Sequence, residues 1–332
     1  MVPVMEQRRL GSSGLVVSRM ALGTMMWGLD SDEDEAAEQT RTFLDAGGTL
    51  VDTADVYADG DSERTIGRLL RGSIDRNEIV LATKANLAVG SGPMDRGSSR
   101  GHLLTALDNS LHRLGVDHID LWQVHAFDDQ TPLEETLAAL DHAVGSGKVR
   151  YVGISNFAGW QSAQAATWQR AWPGRVPIVS HQVEYSLLRR SVEAEVLPAA
   201  QALGIGVLVY SPLARGVLTG KYRHATPSDS RGAHPEWSQF IDPLRTSRDQ
   251  RIVEAVITAA DGLGTSPLAV ALSWVRDQPG VVAPIVGART VGQLAGSLAA
   301  EELTLPVEIR RALDDVSDPD GLPEGYEPDP ER

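Results

Sequence analysis

Asp52, Tyr57, Lys84 and His125 are the kinds of side chain from which a proton-transfer site can be assembled. A phenol alone has a pKa of ~10 and donates poorly near neutrality. An ammonium beside it lowers that value, and a carboxylate keeps the ammonium charged and in place. Asp52, Lys84 and Tyr57 can therefore form a proton-donating relay with Tyr57 at its tip, and His125 can orient a carbonyl oxygen or share the proton. Each residue also has a plainer use: Asp52–Lys84 as a structural ion pair, His125 as a satisfied polar residue. Their placement favours the chemical use. All close or follow apolar runs, in Val51-Asp52-Thr53-Ala54-Asp55-Val56-Tyr57, Val80-Leu81-Ala82-Thr83-Lys84 and Trp122-Gln123-Val124-His125.

Three further apolar runs end in the same way, at Ser155-Asn156, Ser180-His181-Gln182 and Tyr210-Ser211. After the last of these comes Ser211-Pro212-Leu213-Ala214-Arg215-Gly216, then Lys221 and Arg231. Gly287-Ala288-Arg289-Thr290 follows the final apolar run and opens a helix continuing Val291-Gly292-Gln293-Leu294. Four cations in these two places stand out in a chain whose net charge is −15. They point to an anionic ligand, of the phosphate type that barrels hold between their seventh and eighth strands at a helix N-terminus.

The elements that would position these residues follow from periodicity. Strands are expected near 20–22, 49–52, 78–83, 118–124, 150–154, 177–182, 206–210 and 281–286, apolar on consecutive residues as strands buried on both faces are. Helices are expected between them, at 34–46, 63–71, 100–114, 132–146, 192–203 and 248–262. Alternation repeated eight times fits an open doubly wound sheet or a closed (β/α)8 TIM barrel, and the count of eight favours the barrel. Arg8-Arg9-Leu10, Gly11-Ser12-Ser13-Gly14 and Leu15-Val16-Val17 predict an N-terminal β-hairpin closing the barrel's bottom. A long loop follows strand seven. Prolines 319, 323, 328 and 330 predict an irregular tail over 317–332. No low-complexity linker divides the chain, so residues 1–332 are read as a single domain. The acidic run Asp30, Asp32, Glu33, Asp34 and Glu35 reads as a solvated helix start helped by the dipole.

Composition removes several classes. The acidic balance, 30 Lys+Arg against 45 Asp+Glu, disfavours a nucleic-acid binder or an anionic-membrane surface. Zero Cys excludes disulfides, thiolate metal sites and a cysteine nucleophile. The eight His lack metal-ligand spacing, so no metal is expected. No apolar run has membrane-span length and no signal peptide opens the chain, so a cytoplasmic protein is expected. No G-x-G-x-x-G occurs, since Gly90-Ser91-Gly92 meets Asp95 and Gly204-Ile205-Gly206 meets Val209. Ser155 and Ser211 lack the nucleophile-elbow pattern. Lys84 as a Schiff-base nucleophile is another barrel chemistry, opposed by Asp52, which favours the charged lysine.

The chain resembles the aldo-keto reductase superfamily, from Arg9-Leu10-Gly11-Ser12-Ser13-Gly14-Leu15 through to Ser297. The marks are Leu22-Gly23-Thr24-Met25, Asp52-Thr53-Ala54 with Tyr57, Ser62-Glu63, Thr83-Lys84, Asp120-Leu121-Trp122-Gln123-Val124-His125 and Gly153-Ile154-Ser155-Asn156-Phe157. They continue with Gln182-Val183-Glu184-Tyr185, Tyr210-Ser211-Pro212-Leu213 and Ile285-Val286-Gly287-Ala288-Arg289. The flavour is similar to the bacterial branch near potassium-channel β-subunits. The resemblance implies a (β/α)8 barrel that uses NADPH to reduce an aldehyde or ketone, a small-molecule carbonyl substrate. Asp52, Tyr57, Lys84 and His125 fall on the family's catalytic tetrad, with Tyr57 the general acid. Gly23, Thr24, Met25 and Asp52 are also implied to bind the cofactor. Ser155, Asn156 and Gln182 match holders of the nicotinamide carboxamide, and Tyr210 would stack on its ring. Ser211, Pro212, Leu213, Ala214, Arg215, Lys221 and Arg231 match the loop over the pyrophosphate. Gly287, Arg289 and Gln293 match the adenosine end, where Arg289 would pair with a 2′-phosphate.

The chain departs from the family pattern twice. Gly296 and Ser297 stand where an acidic residue and Asn are common, and Gly325-Tyr326-Glu327-Pro328-Asp329-Pro330 replaces an aromatic C-terminal ending. Trp27 and Phe127 are expected, with Tyr57 and His125, to wall the substrate pocket, packing being the equal alternative. The rival reading is a nicotinamide-nucleotide-sensing binding module, similar to a channel β-subunit with little turnover. Such a module leaves a protein partner or oligomer open.

Overall fold

Each of the eight apolar runs becomes a parallel strand, and the strands close on themselves. The computed structural model describes residues 5–228 and 230–319. The chain begins with β1 (Gln7–Arg9) and β2 (Val16–Ser18), an antiparallel pair in which Arg8 faces Val17. Then come β3 (Ala21–Gly23), α1 (Glu33–Asp45), β4 (Leu50–Asp52), α2 (Asp61–Gly72), β5 (Val80–Ala85), α3 (Arg100–Leu114), β6 (Ile119–Val124) and α4 (Leu133–Gly145). The second half runs β7 (Val149–Ser155), α5 (Gly159–Ala171), β8 (Ile178–Glu184), α6 (Val196–Ala202), β9 (Gly206–Tyr210) and α7 (Pro235–Ile241). It ends with α8 (Ser247–Leu263), α9 (Pro267–Arg276), β10 (Val281–Gly287), α10 (Val291–Leu298) and α11 (Val307–Val316). Strands β3 to β10 form the closed (β/α)8 barrel, β10 pairing back onto β3 at Gly287 and Gly23.

A side-chain period of two along each strand divides the barrel interior into layers. Leu50, Ala82, Leu121, Val179, Leu208 and Ala283 make the lower, apolar layer. Two residues further along β4, β5, β6 and β9 come Asp52, Lys84, Gln123 and Tyr210, so the upper layer is polar. The hairpin supplies the floor: Leu10 and Val17, both fully buried, pack into the lower layer. Gly11 makes the close approach possible. It has φ +58°, and a Cβ there would lie 2.5 Å from the Gly204 carbonyl oxygen.

Two elements differ from the sequence reading. The sixth helix begins at Val196 rather than near 192, after a 3₁₀ turn at Ser191–Glu193. Pro198 accounts for this, because a residue without an N–H is tolerated in a first turn and not in an interior. The segment after β9 is not bare loop: it holds 3₁₀ turns and α7, and both α8 and the buried α9 precede β10. The acidic run is a capped helix start, with Asp32 accepting from the Glu35 N–H and Glu33, Asp34 and Glu35 in the first turn of α1. Of the expected tail, Ser317 is buried and receives a hydrogen bond from Arg190. Residues 320–332, with the Gly325–Pro330 motif, lie outside the described residues.

No single helix among the described residues is long and apolar enough to cross a membrane. Nor do three His, Asp or Glu side chains among them gather as a metal site.

Candidate active site

The upper ends of the barrel strands surround a cavity of about 590 Å³. Asp52 stands at its floor, with one carboxylate oxygen accepting from Lys84 Nζ at 2.7 Å and the other from Gln182 Nε2 at 2.8 Å. Lys84 also donates to the Thr53 carbonyl at 2.7 Å and is fully buried. Burial is the largest single influence and works against the ammonium, but Asp52 and Tyr57 together outweigh it and the net shift is upward. The Lys84 ammonium lies 5.1 Å from the centre of the Tyr57 ring, and Tyr57 meets His125 edge-on at 6.1 Å between ring centres. Tyr57 and His125 both line the cavity. The four tetrad candidates therefore come together as the sequence suggests.

Their electrostatics differ from the sequence expectation in one respect. Burial raises the Tyr57 phenol above its ordinary value, and the nearby Lys84 charge offsets this only in part. His125 moves the other way: burial, then the Lys84 charge, push it down to about 3, so the imidazole is neutral at physiological pH. A neutral imidazole is a poor acid but can make a hydrogen bond from its place on the cavity wall.

Backbone geometry is tightest at this rim. Asn156 (φ +56°), Ser211 (φ +51°), Ala214 (φ +47°) and Arg215 (φ +58°) follow β7 and β9 in the left-handed region, as do Ala58 and Asp59 just after Tyr57. Left-handed conformations at non-glycine residues carry strain that surrounding contacts must hold in place. For Asn156 those contacts are visible: its Nδ2 donates to the His125 carbonyl at 3.0 Å, and its Oδ1 accepts from Tyr210 OH at 2.9 Å.

Away from the tetrad the cavity turns basic. Arg215, Lys221, Arg231 and Arg289 all line it, with Gly287, Gln293 and Ser297. Arg215 reaches Glu184 at 3.4 Å and lies over Phe240; Arg231 lies over Trp237. The Arg231 guanidinium is depressed by burial and by Arg289, with Asp30 opposing. Cations gathered against burial and mutual repulsion mark a place for anionic groups. Amide and hydroxyl groups at one end and guanidinium groups at the other fit a long anionic dinucleotide.

A family model described as the aldo/keto reductase family matches residues 19–318. The chain belongs to the aldo/keto reductase family. Its relatives include the uncharacterised oxidoreductase YrpG of Bacillus subtilis (strain 168), 41% identical over 97% of this chain and 99% of the relative. The L-glyceraldehyde 3-phosphate reductase of Escherichia coli (strain K12) is 35% identical over 89% of this chain and 87% of its own. A probable voltage-gated potassium channel subunit beta of Oryza sativa subsp. japonica is 34% identical, over 94% and 95%. Family membership makes this an oxidoreductase of the kind that acts on small carbonyl compounds and generally uses a nicotinamide cofactor.

Most residues that the resemblance implies for this aldo/keto reductase lie on the cavity wall, including Gly23, Thr24, Met25, Ser155, Asn156, Gln182, Tyr210, Ser211, Pro212 and Leu213. Three do not. Trp27 is turned into the core, 1% exposed, its indole N–H donating to Gln39 Oε1 at 3.0 Å. Phe127 packs edge-on against Phe157 and Trp160 outside the cavity wall. Ala214 is buried beneath the loop. In their place the wall includes Met26, Val56 and Leu87, with Trp237, Phe240 and Ile241 from α7. Leu87 lies two residues beyond the end of β5, so its position past a strand end was the available signal. Nothing in the Gly- and Pro-rich segment announced α7.

Proposed function

We propose that this aldo/keto reductase carries out NADPH-dependent reduction of a small aldehyde or ketone to the alcohol, with Tyr57 as proton donor. The observation that carries the reading is the Tyr57 phenol in the cavity, backed by the buried Asp52–Lys84 pair and flanked by a neutral His125. When bound, the dihydronicotinamide supplies hydride to the carbonyl carbon. The chain's own part is to fix the carbonyl oxygen between Tyr57 and His125 and to deliver the phenol proton to it.

Cofactor holding divides along the rim. Ser155, Asn156 and Gln182 would take the carboxamide. Because Asp52 only accepts, Gln182 must present its Nε2 to it, which leaves Oε1 to accept an amide N–H. Tyr210 would stack beside the ring, with Gly23, Thr24 and Met25 below. The turn from Ser211 to Arg215, with Lys221 and Arg231, would cover the pyrophosphate. Gly287, Arg289 and Gln293 would hold the adenosine end, Arg289 taking the 2′-phosphate that separates NADPH from NADH.

The test is a panel of aldehydes and ketones with NADPH and with NADH, followed at the cofactor absorbance band. Turnover with NADPH preferred is expected. If the folded protein binds cofactor and turns over nothing, the reductase reading falls. That outcome would favour a nucleotide-sensing module with a protein partner, a reading supported by the rice relative's description as a channel subunit.

A further inference from the structure

His181 stands beside Gln182 on β8 but takes no part in the tetrad or the cavity wall. Neighbours on a strand face opposite ways, so Gln182 points into the barrel and His181 outward, toward α5. The imidazole is fully buried, and both of its nitrogens are occupied there. The Phe157 N–H donates to Nε2 at 3.2 Å, and Ser162 Oγ lies 3.3 Å from Nδ1. A backbone amide only donates, so Nε2 must be the bare nitrogen and the neutral ring carries its proton on Nδ1. Burial pushes His181 down to about 4, which keeps that neutral form at physiological pH. Ser162 accepts from Nδ1 and passes its own hydrogen to the Ala158 carbonyl at 3.0 Å. One side chain thus grips two consecutive residues, 157 directly and 158 through a hydroxyl.

Those two residues close the turn from β7 into α5, immediately after Ser155 and Asn156. Asn156 is held at φ +56°, and its backbone N–H donates to the Gln182 carbonyl at 3.1 Å. The turn is therefore tied to β8 at two successive residues, Asn156 to Gln182 and Phe157 to His181. The helix cap does not do this work. Alanine stands at the N-cap of α5, where it has no side-chain oxygen to offer, and Glu195 takes the Trp160 N–H further on. At the tip, Asn156 Nδ2 donates to Ser155 Oγ at 3.1 Å. With that oxygen already accepting, the Ser155 hydroxyl keeps its own hydrogen to give away.

We propose that His181 is a positioning residue for the cofactor: by gripping Phe157 and, through Ser162, Ala158, it locks the turn that presents Ser155 and Asn156 to the nicotinamide carboxamide. The inference rests on the reading of Ser155, Asn156 and Gln182 as the carboxamide's holders. Gln182 Oε1 is left for the amide N–H, so the carboxamide oxygen falls to the Ser155 hydroxyl, whose aim depends on Asn156. Without His181 the buried Phe157 N–H loses its acceptor and the left-handed Asn156 loses a neighbour that holds it in place. The cations at the other end of the cavity come from the segment after β9 and from the end of β10, so they do not depend on this turn. One neutral hydrogen bond is worth roughly twofold to tenfold in affinity.

His181→Phe keeps a ring and removes both nitrogens. Titration calorimetry on the full chain compares three probes: NADPH, its thionicotinamide analogue, and 2′,5′-ADP, which is the adenosine end alone. The analogue replaces the carboxamide oxygen by sulfur, a weaker acceptor. Wild type is expected to prefer NADPH over the analogue by about fivefold, the worth of one neutral hydrogen bond. In His181→Phe the two should come within about twofold of each other, while 2′,5′-ADP binds as it does to wild type. A preference that persists in the variant overturns the inference and leaves the carboxamide reading standing. Loss of 2′,5′-ADP affinity equal to that of NADPH also overturns it, since His181 would then be a prop of the fold alone. No preference in the wild type overturns the carboxamide reading and this inference together. Should His181→Phe not fold, Ser162→Ala decides, because it deletes one hydroxyl on a helix: part of the preference should go, and full retention overturns the inference.

Discussion

Replacing Lys84 by Met separates the two uses that a buried ion pair can have. In the wild type, Asp52 and Lys84 are 2.7 Å apart with 3% and 0% of their side chains exposed. The substitution leaves Asp52 with the Gln182 amide as its remaining donor and deprives the Thr53 carbonyl of its lysine. Removing one partner of a buried pair costs ~3–5 kcal/mol, because the remaining charge is uncompensated. At roughly 2 °C per kcal/mol for a chain of this size, melting should fall by about 6–10 °C. The double variant Lys84→Met/Asp52→Asn removes both charges and should recover most of that loss. Activity should not follow. Without the ammonium the Tyr57 phenolate is unsupported, and kcat should stay at least ~10²-fold down in both variants. Circular-dichroism melts and NADPH absorbance assays read the two quantities on the same samples. If the double variant regains kcat along with stability, Asp52–Lys84 is an ion pair of the fold and the relay is refuted.

Other outcomes follow from the same geometry. Arg289→Ala should weaken NADPH about tenfold to a hundredfold and leave NADH nearly unchanged, since a charge-assisted pair to a phosphate is worth ~1.5–3 kcal/mol; equal losses for both cofactors in fluorescence titrations would assign Arg289 elsewhere. Phe240→Ala removes the ring under Arg215 and should weaken cofactor binding roughly twofold to fivefold, the worth of an exposed cation–π contact; unchanged affinity would show that α7 contributes nothing to holding it. Asp55, raised from 3.8 to about 7, binds its proton more tightly folded than unfolded, so wild-type stability should fall as pH rises from about 4 to 7. The fall attributable to it is about 4 kcal/mol, and Asp55→Asn should flatten that part of a denaturant-midpoint profile; an unchanged slope would mean that Asp55 is ionised throughout.

Much of this was legible in the sequence, for identifiable reasons. Strands buried on both faces read as consecutive apolar residues, so runs such as Val207-Leu208-Val209 marked all eight barrel strands. Parallel closure brings strand ends to one rim, so the polar residues that end those runs marked Asp52, Lys84, His125, Gln182 and Tyr210. What was illegible depends on which way a side chain turns. Trp27 comes two residues after Gly23-Thr24-Met25, yet Gln39 of α1 offers its indole a partner and draws it into the core. Phe127 found Phe157 and Trp160 instead of the cavity. Helix α7 is seven residues long inside a Gly- and Pro-rich segment, too short for periodicity to register. Asp55 sat in plain view within a quoted motif, but its lack of a hydrogen-bond partner exists only in three dimensions. The same holds for Tyr57, where burial outweighs the expected effect of Lys84.

Tyr57→Phe tests the central claim most directly, because it deletes one hydroxyl and keeps the ring that packs beside His125 and Lys84. NADPH affinity should barely change, since the cationic residues lining the cavity remain in place. Single-turnover reduction of a carbonyl found active in the panel should slow by at least ~10²-fold. Near-normal single-turnover rates in Tyr57→Phe, with cofactor bound, would contradict Tyr57 as the proton donor and pass that role to water.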